Sequence, residues 1–223
     1  MIKVLLVEDH VLVRMGLSLL LEKSENIQLV GEAEDGLVGV SKAKELQPDV
    51  VLMDIGLPDI DGITATKRIK EFDSNIKVLI FTSRDNEKDV FEAFSAGADG
   101  YIMKGASPEQ TISAIETVNS GAAWLDSAIA KLVLNNIRNP KIQEAKNNVT
   151  EVNYGAGKSQ YGLTDREMDV LSLMVSGLSN NDIAEKLVIT RATAKAHVHS
   201  ILQKLCVGSR TQATITAMKE GLV

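Results

Sequence analysis

Asp54 closes an apolar run, Val50-Val51-Leu52-Met53-Asp54, and Glu8-Asp9 close another, Val4-Leu5-Leu6-Val7. A short apolar run ended by an acid reads as a buried parallel strand that delivers a carboxylate at its carboxyl end. Two such strands in one sheet bring Glu8, Asp9 and Asp54 to the edge where ligands of open α/β sheets bind. Packed carboxylates repel one another unless a proton or a divalent cation holds them together. This chemistry suits a Mg²⁺ pocket in which Asp54 acts as a nucleophile toward phosphorus. Asp9 and, less directly, Glu8 would carry the ion, and the backbone carbonyl of Gly56 would complete its oxygen shell. Two further strand ends deliver Thr82 and Lys104, a hydroxyl and an ammonium suited to phosphoryl oxygens. Singly, each of these residues also reads as a surface lysine, a strand-end cap or a solvated acid. The informative pattern is Asp, Asp, Thr and Lys at four strand ends.

A second constellation lies near the carboxyl end. From Thr190 to Leu205 there is no acid, and Arg191, Lys195 and Lys204 make the stretch locally basic. Ala194, Val198, Ile201 and Leu205 repeat at helical spacing and form one apolar stripe. The opposite face carries Ala192, Lys195, Ala196, His199 and Gln203, with Arg191 and Thr193 in the first turn. Small alanines permit close approach, and the polar side chains suit phosphates and base edges in a major groove. Asn180 and Asn181 start the preceding short helix, where a helix terminus meets phosphate. A plain helical bundle with a solvated face has the same spacing. His197 lies beside the stripe and reads as a packed structural residue.

The elements that position the first constellation alternate regularly. Strands are expected over 2–7, 27–32, 50–53, 78–81 and 100–102, and helices over 11–22, 37–46, 63–72, 88–95 and 108–120. Five strands alternating with five helices predict a doubly wound, flavodoxin-like α/β domain with a parallel five-stranded sheet over residues 1–122. Residues 123–162 are read as a linker with a possible helix. Its later part is rich in Asn and Gly, and 142–147 has the pattern of about one helical turn. Residues 163–223 show four helical signals. Thr164 with Glu167 has capping-box spacing, Ser179 with Asp182 fits an N-terminal cap, and Gly177 is suited to a left-handed helix end.

Charge follows the same division. Residues 1–122 hold 12 Lys+Arg against 21 Asp+Glu, net −9, whereas 163–223 are near neutral at +1. The acidic part would be repelled by nucleic acid, and the asymmetry is compatible with a regulatory domain joined to a nucleic-acid-binding one. One cysteine, Cys206, excludes an internal disulfide and a cysteine-based zinc site. The amino terminus enters a strand without a secretory signal, and no apolar run is long enough for a membrane span. A cytoplasmic location away from membranes is therefore expected.

Residues 1–120 resemble the receiver domain of two-component response regulators. The carriers are Glu8-Asp9, Asp54 followed by Ile-Gly-Leu-Pro-Asp-Ile-Asp-Gly, Thr82-Ser83, and Tyr101-Ile-Met-Lys104. Residues 163–221 are similar to the LuxR-type helix-turn-helix. Here the carriers are Leu-Thr-Asp-Arg-Glu at 163–167, Gly-Leu-Ser-Asn-Asn-Asp-Ile-Ala at 177–184, and Thr-Ala-Lys-Ala-His-Val at 193–198. Together they imply a NarL/FixJ-family regulator rather than an enzyme. The resemblance implies that a sensor histidine kinase phosphorylates Asp54 and that Mg²⁺ is held at Glu8, Asp9, Asp54 and Gly56. It also implies a Thr82–Tyr101 switch pair and Lys104 as the phosphoryl sensor. Activation is then expected to produce a homodimer bound to double-stranded DNA, with Ala213, Ile215, Ala217 and Met218 of the last helix near the two-fold axis. A contact with RNA polymerase is left open. Two positions depart from the family pattern: Ala194 stands where valine is usual, and Cys206 stands where glycine is usual. The second departure predicts left-handed strain at Cys206.

Two other classes share part of the pattern. A phosphohydrolase working through an aspartyl phosphate needs a second acid two residues after its nucleophile, and Gly56 occupies that place. A flavodoxin-like nucleotide-binding module needs a glycine-rich loop after the first strand, and Glu8-Asp9-His10 occupies that loop.

Overall fold

A computed structural model describes residues 1–138 and 161–223. The first elements are β1 (Ile2–Val7), α1 (Val11–Glu22), β2 (Ile27–Ala33), α2 (Gly36–Leu46), β3 (Val50–Met53) and α3 (Gly62–Phe72). They are followed by β4 (Lys77–Thr82), α4 (Glu87–Ser95), β5 (Gly100–Met103), α5 (Pro108–Ser120), β6 (Trp124–Leu125) and α6 (Ser127–Arg138). All neighbouring strands pair in parallel, in the order β2-β1-β3-β4-β5-β6. The sheet thus has one strand more than the five expected. The added β6 is only two residues long, too short to carry an alternation signal, and it aligns Trp124 with Gly100 and Leu125 with Tyr101. It lies within the segment read as linker, as does α6, whose Ile129 and Val133 join the core on one face of the sheet. The one-turn helix expected over 142–147 lies outside the described residues.

The central strands are buried on both faces, which is why β1 and β3 read as unbroken apolar runs. One face is covered by apolar residues of α2, α3, α4 and α6, including Val40, Ile69, Phe94 and Ile129. The other is covered by Leu17 and Leu21 of α1 and by Ala114, Ile115 and Val118 of α5. Because β1, β3, β4 and β5 all point the same way, their carboxyl ends meet at one edge.

The second unit contains α7 (Asp165–Val175), α8 (Asn180–Lys186), α9 (Arg191–Lys204) and α10 (Arg210–Lys219). The expected capping box of Thr164 with Glu167 forms, and the N-terminal cap at Ser179 is also a capping box, closed by Asp182. Gly177 takes a left-handed φ of 81° as its role after α7 requires. The stripe Ala194, Val198, Ile201 and Leu205 is buried against Val170, Leu171 and Ile183. Glu167 is buried beneath α9, where it accepts from Ser200 Oγ at 2.6 Å and Lys204 Nζ at 2.7 Å. Burial opposes its charge, but the Lys204, Ser200 and Thr164 donors outweigh it and lower its pKa to about 2.

The two units touch. Ile215 of α10 packs on the core of the first unit, and Thr211 Oγ1 donates to the Asp99 carbonyl at 3.1 Å. Ala213 and Ala217 are fully buried in the core of their own unit. The four apolar residues expected at a two-fold axis therefore do not form a free face here, because three of them already pack within this chain.

Candidate functional site

β1 and β3 are adjacent and in register, Val7 beside Met53, so Glu8 and Asp54 leave the sheet side by side. The Asp54 N–H donates to the Val7 carbonyl at 2.9 Å, which extends the ladder one residue and fixes the turn. Asp54 Oδ1 accepts from the Ile55 N–H at 2.8 Å. The loop then folds back tightly: Gly62 N donates to Ile55 O at 3.0 Å. A Cβ on Gly62 would lie 1.9 Å from the Asp54 carbonyl oxygen, so only glycine permits this return.

Lys104 arrives from the end of β5, with its N–H donating to the Thr82 carbonyl at 2.9 Å. Its ammonium donates to Glu8 Oε1 at 2.9 Å and to Asp54 Oδ2 at 3.0 Å. It also lies 2.8 Å from Glu8 Oε2, a buried oxygen that receives no aligned donor. Burial disfavours the charged ammonium, yet the hydrogen bonds and charges of Glu8 and Asp54 hold the Lys104 pKa above its ordinary value. Glu8 is raised, mainly by burial and then by the neighbouring Asp54 charge, against the pull of Lys104. One lysine thus faces two buried acids, and Asp9 and His10 stand at the rim. Ligand atoms of Glu8, Asp9, His10 and Asp54 all lie within 4.8 Å of one another. Carboxylate oxygens around a surplus of negative charge fit a hard divalent cation such as Mg²⁺.

Thr82 and Tyr101 are both buried and connect through Arg84. The Arg84 N–H donates to Thr82 Oγ1 at 3.3 Å, and Tyr101 Oη donates to the Arg84 carbonyl at 2.7 Å. Burial and then the Asp89 charge push the Tyr101 phenol up, so it remains a donor. Gly56 adjoins the acceptor: a Cβ there would lie 3.4 Å from Asp54 Oδ2 and 3.9 Å from Arg84 Nη2. Near the acids, Arg84 and the rim residue His10 lie outside the motif residues. The signal for Arg84 is its place, two residues beyond Thr82 on the loop leaving β4.

In the second unit, Arg191, Ala192, Thr193, Lys195, Ala196, His199 and Gln203 are all exposed on α9, on the side opposite its apolar stripe. Thr193 Oγ1 pairs with Thr190 Oγ1 at 2.8 Å, and the nitrogens of Gln203 and His199 lie 3.1 Å apart. Asn181 is exposed, but Asn180 is half-buried, and its Oδ1 accepts from Arg210 Nη1 at 3.2 Å. The structure thus separates two asparagines that the sequence presents as equivalent. His197 is half-buried beside the stripe. Arg191, Lys195 and His199 also line a cleft of about 470 Å³ whose other wall includes Asp49, Asp73 and Lys77 of the first unit.

A doubly wound domain with this acid-and-lysine edge, followed by a helix-turn-helix unit, defines a response regulator with a DNA-binding output domain. Residues 4–116 match the model of the response regulator receiver domain, and 161–217 match that of the bacterial regulatory proteins of the luxR family. The chain is 39% identical to the transcriptional regulatory protein LiaR of Bacillus subtilis (strain 168), over 100% of both chains. It is 40% identical to the response regulator protein VraR of Staphylococcus aureus (strain NCTC 8325 / PS 47), over 100% of this chain and 99% of the other. Among solved structures, the response regulator ChrA of a heme-sensing two-component system aligns over 100% of this chain and 98% of that one. That alignment has 33% identity and a TM-score of 0.52. The chain belongs to the NarL/LuxR family of two-component response regulators.

Proposed function

We propose that a sensor histidine kinase transfers a phosphoryl group to Asp54 and thereby controls dimerisation and sequence-specific DNA binding. The single observation behind this reading is the unbalanced charge at the sheet edge, where Glu8 and Asp54 share one ammonium and Asp9 adds a third acid. Such a site gains from a cation and from a nucleophile's partner, whereas a merely structural acid would have its charge fully partnered. Glu8, Asp9, Asp54 and the Gly56 carbonyl are the Mg²⁺ ligands in this reading. Bound Mg²⁺ would neutralise charge on the phosphoryl oxygens during transfer. Lys104 holds one phosphoryl oxygen, Thr82 turns toward another, and the Thr82–Arg84–Tyr101 chain carries the change outward. Gly56 offers no acid to activate water, which favours a phosphoaspartate that persists over enzymatic turnover. The regulator would act in the cytoplasm, where its kinase, DNA and RNA polymerase meet.

The DNA reader in this account is the exposed face of α9, with Asn181 at the preceding helix start. In the arrangement described here that face opens into the interdomain cleft. A cleft of about 470 Å³ cannot admit a duplex, so release of α9 from the receiver would accompany activation. Lys195→Ala tests the reader. The substitution is expected to weaken operator binding without changing thermal stability, and to reduce the salt dependence by about one phosphate contact. Unchanged affinity in a low-salt titration would contradict the assignment of α9.

A further inference from the structure

Arg84 lies on the loop after β4 with its guanidinium beside Gly56 and its side chain about half exposed. A Cβ on Gly56 would lie 3.4 Å from Asp54 Oδ2 and 3.9 Å from Arg84 Nη2, so the carboxylate and the guanidinium border the same space beside Gly56. At present Arg84 Nη1 pairs with Asp89 Oδ2 of α4 at 3.3 Å, a long contact in which the guanidinium side chain is about half exposed and the carboxylate 16% exposed. Asp89 does not depend on it: Oδ2 also accepts from Asn86 Nδ2 at 2.9 Å. A planar guanidinium prefers a phosphoryl dianion, which it can meet through two parallel N–H groups, to a singly charged, partly solvated carboxylate. The backbone of the same residue joins Thr82 to Tyr101, as described above.

We propose that Arg84 is a phosphoryl-binding residue whose guanidinium leaves Asp89 for the phosphoryl group on Asp54. This assignment rests on Asp54 being the acceptor. The exchange removes one link between the β4–α4 loop and α4. It also shifts the carbonyl that anchors the Tyr101 hydroxyl, so ligand binding and loop position become coupled. Asp89 acts as the competitor that keeps Arg84 off an empty pocket.

Beryllofluoride, a phosphoryl mimic, titrated into the full-length chain with Mg²⁺ and followed by ¹⁹F NMR, tests the exchange. Arg84→Ala is expected to weaken binding roughly tenfold, the scale of one charge-assisted contact, and Arg84→Lys to recover part of that loss. Asp89→Asn removes the competitor and is expected to tighten binding a few-fold (about 2–5), an effect that damage to the fold does not produce. The double variant should bind like Arg84→Ala. Equal affinity of wild type and Arg84→Ala, or weaker binding by Asp89→Asn, would overturn the assignment of Arg84. No beryllofluoride binding by wild type would instead overturn the Asp54 acceptor reading on which it rests.

Discussion

The receiver holds two lysine–carboxylate clusters at opposite ends of the same sheet, and they are built on opposite terms. At the carboxyl edge Lys104 faces two buried acids, Glu8 and Asp54, with Asp9 and His10 at the rim. At the amino edge a single acid, Asp99, meets two lysines. Lys70 Nζ lies 2.5 Å from Asp99 Oδ2, Lys77 Nζ lies 3.1 Å from Oδ1, and the Val78 N–H donates to Oδ2 at 2.9 Å. Burial would raise the Asp99 pKa, but Lys70 and Lys77 outweigh it and hold the carboxyl below its usual range. The first cluster has more negative charge than its lysine can offset. In the second, cation and amide donors occupy both oxygens of the one acid, so no carboxylate charge is left without a partner. A buried charge is therefore not by itself a sign of function; the sign is a surplus of acid that a cation would relieve. The balanced cluster does structural work, and its Asp99 carbonyl is where Thr211 of the DNA-binding unit docks.

The comparison predicts that the two carboxylates respond differently to removal. Asp99→Ala leaves the Lys70 ammonium buried without its partner and should cost about 3–5 kcal/mol in urea denaturation. Asp54→Asn keeps the side chain's shape and removes one charge from a crowded set. It should abolish activation by a phosphodonor, while folding stability stays within about 1 kcal/mol of wild type. A large loss of stability in Asp54→Asn, or a small one in Asp99→Ala, would break the contrast.

A third carboxylate sharpens it. Glu167 in the second unit is balanced like Asp99, accepting from Lys204, Ser200 and Thr164. Its folded pKa of about 2 lies below the ordinary carboxyl value of 4.5. Folding therefore gains from its charge above about pH 4.5, and that gain is lost as pH falls from there toward about 2. Glu167→Gln is expected to flatten this acid limb in pH-dependent thermal melts of the second unit's transition. An unaltered acid limb would mean that Glu167 is not held as described. The smallest effect is expected at Cys206, whose φ is 54°: Cys206→Gly should raise stability by about 0.5–1 kcal/mol by relieving left-handed backbone.

Much of this was legible in the sequence, for identifiable reasons. Acids, a threonine and a lysine placed after buried strands project at one edge because parallel strands share a direction, so β1, β3, β4 and β5 announced their cluster. The α9 stripe was legible through its period, and the strain at Cys206 through the glycine that the family pattern places there. What was hidden depended on contacts between distant residues. The Asp99–Lys70–Lys77 cluster joins β5, α3 and β4 and has no spacing signature. The engagement of Asn180 by Arg210 spans 30 positions. Gln47, Asp59 and Val188 take left-handed backbone, φ 44°, 67° and 54°, with no glycine to signal it. A two-residue strand such as β6 becomes visible only when β5 is there to pair with it.

The central claim is that the unbalanced cluster exists to accept a phosphoryl group on Asp54. Intact mass of the wild type and of Asp54→Ala after incubation with acetyl phosphate and Mg²⁺, with oligomeric state read on the same samples, tests it most directly. The account predicts one added phosphoryl group on the wild type, none on the variant, and a shift from monomer to dimer only where the group is present. Phosphorylation of the variant, or none of either protein, would contradict it.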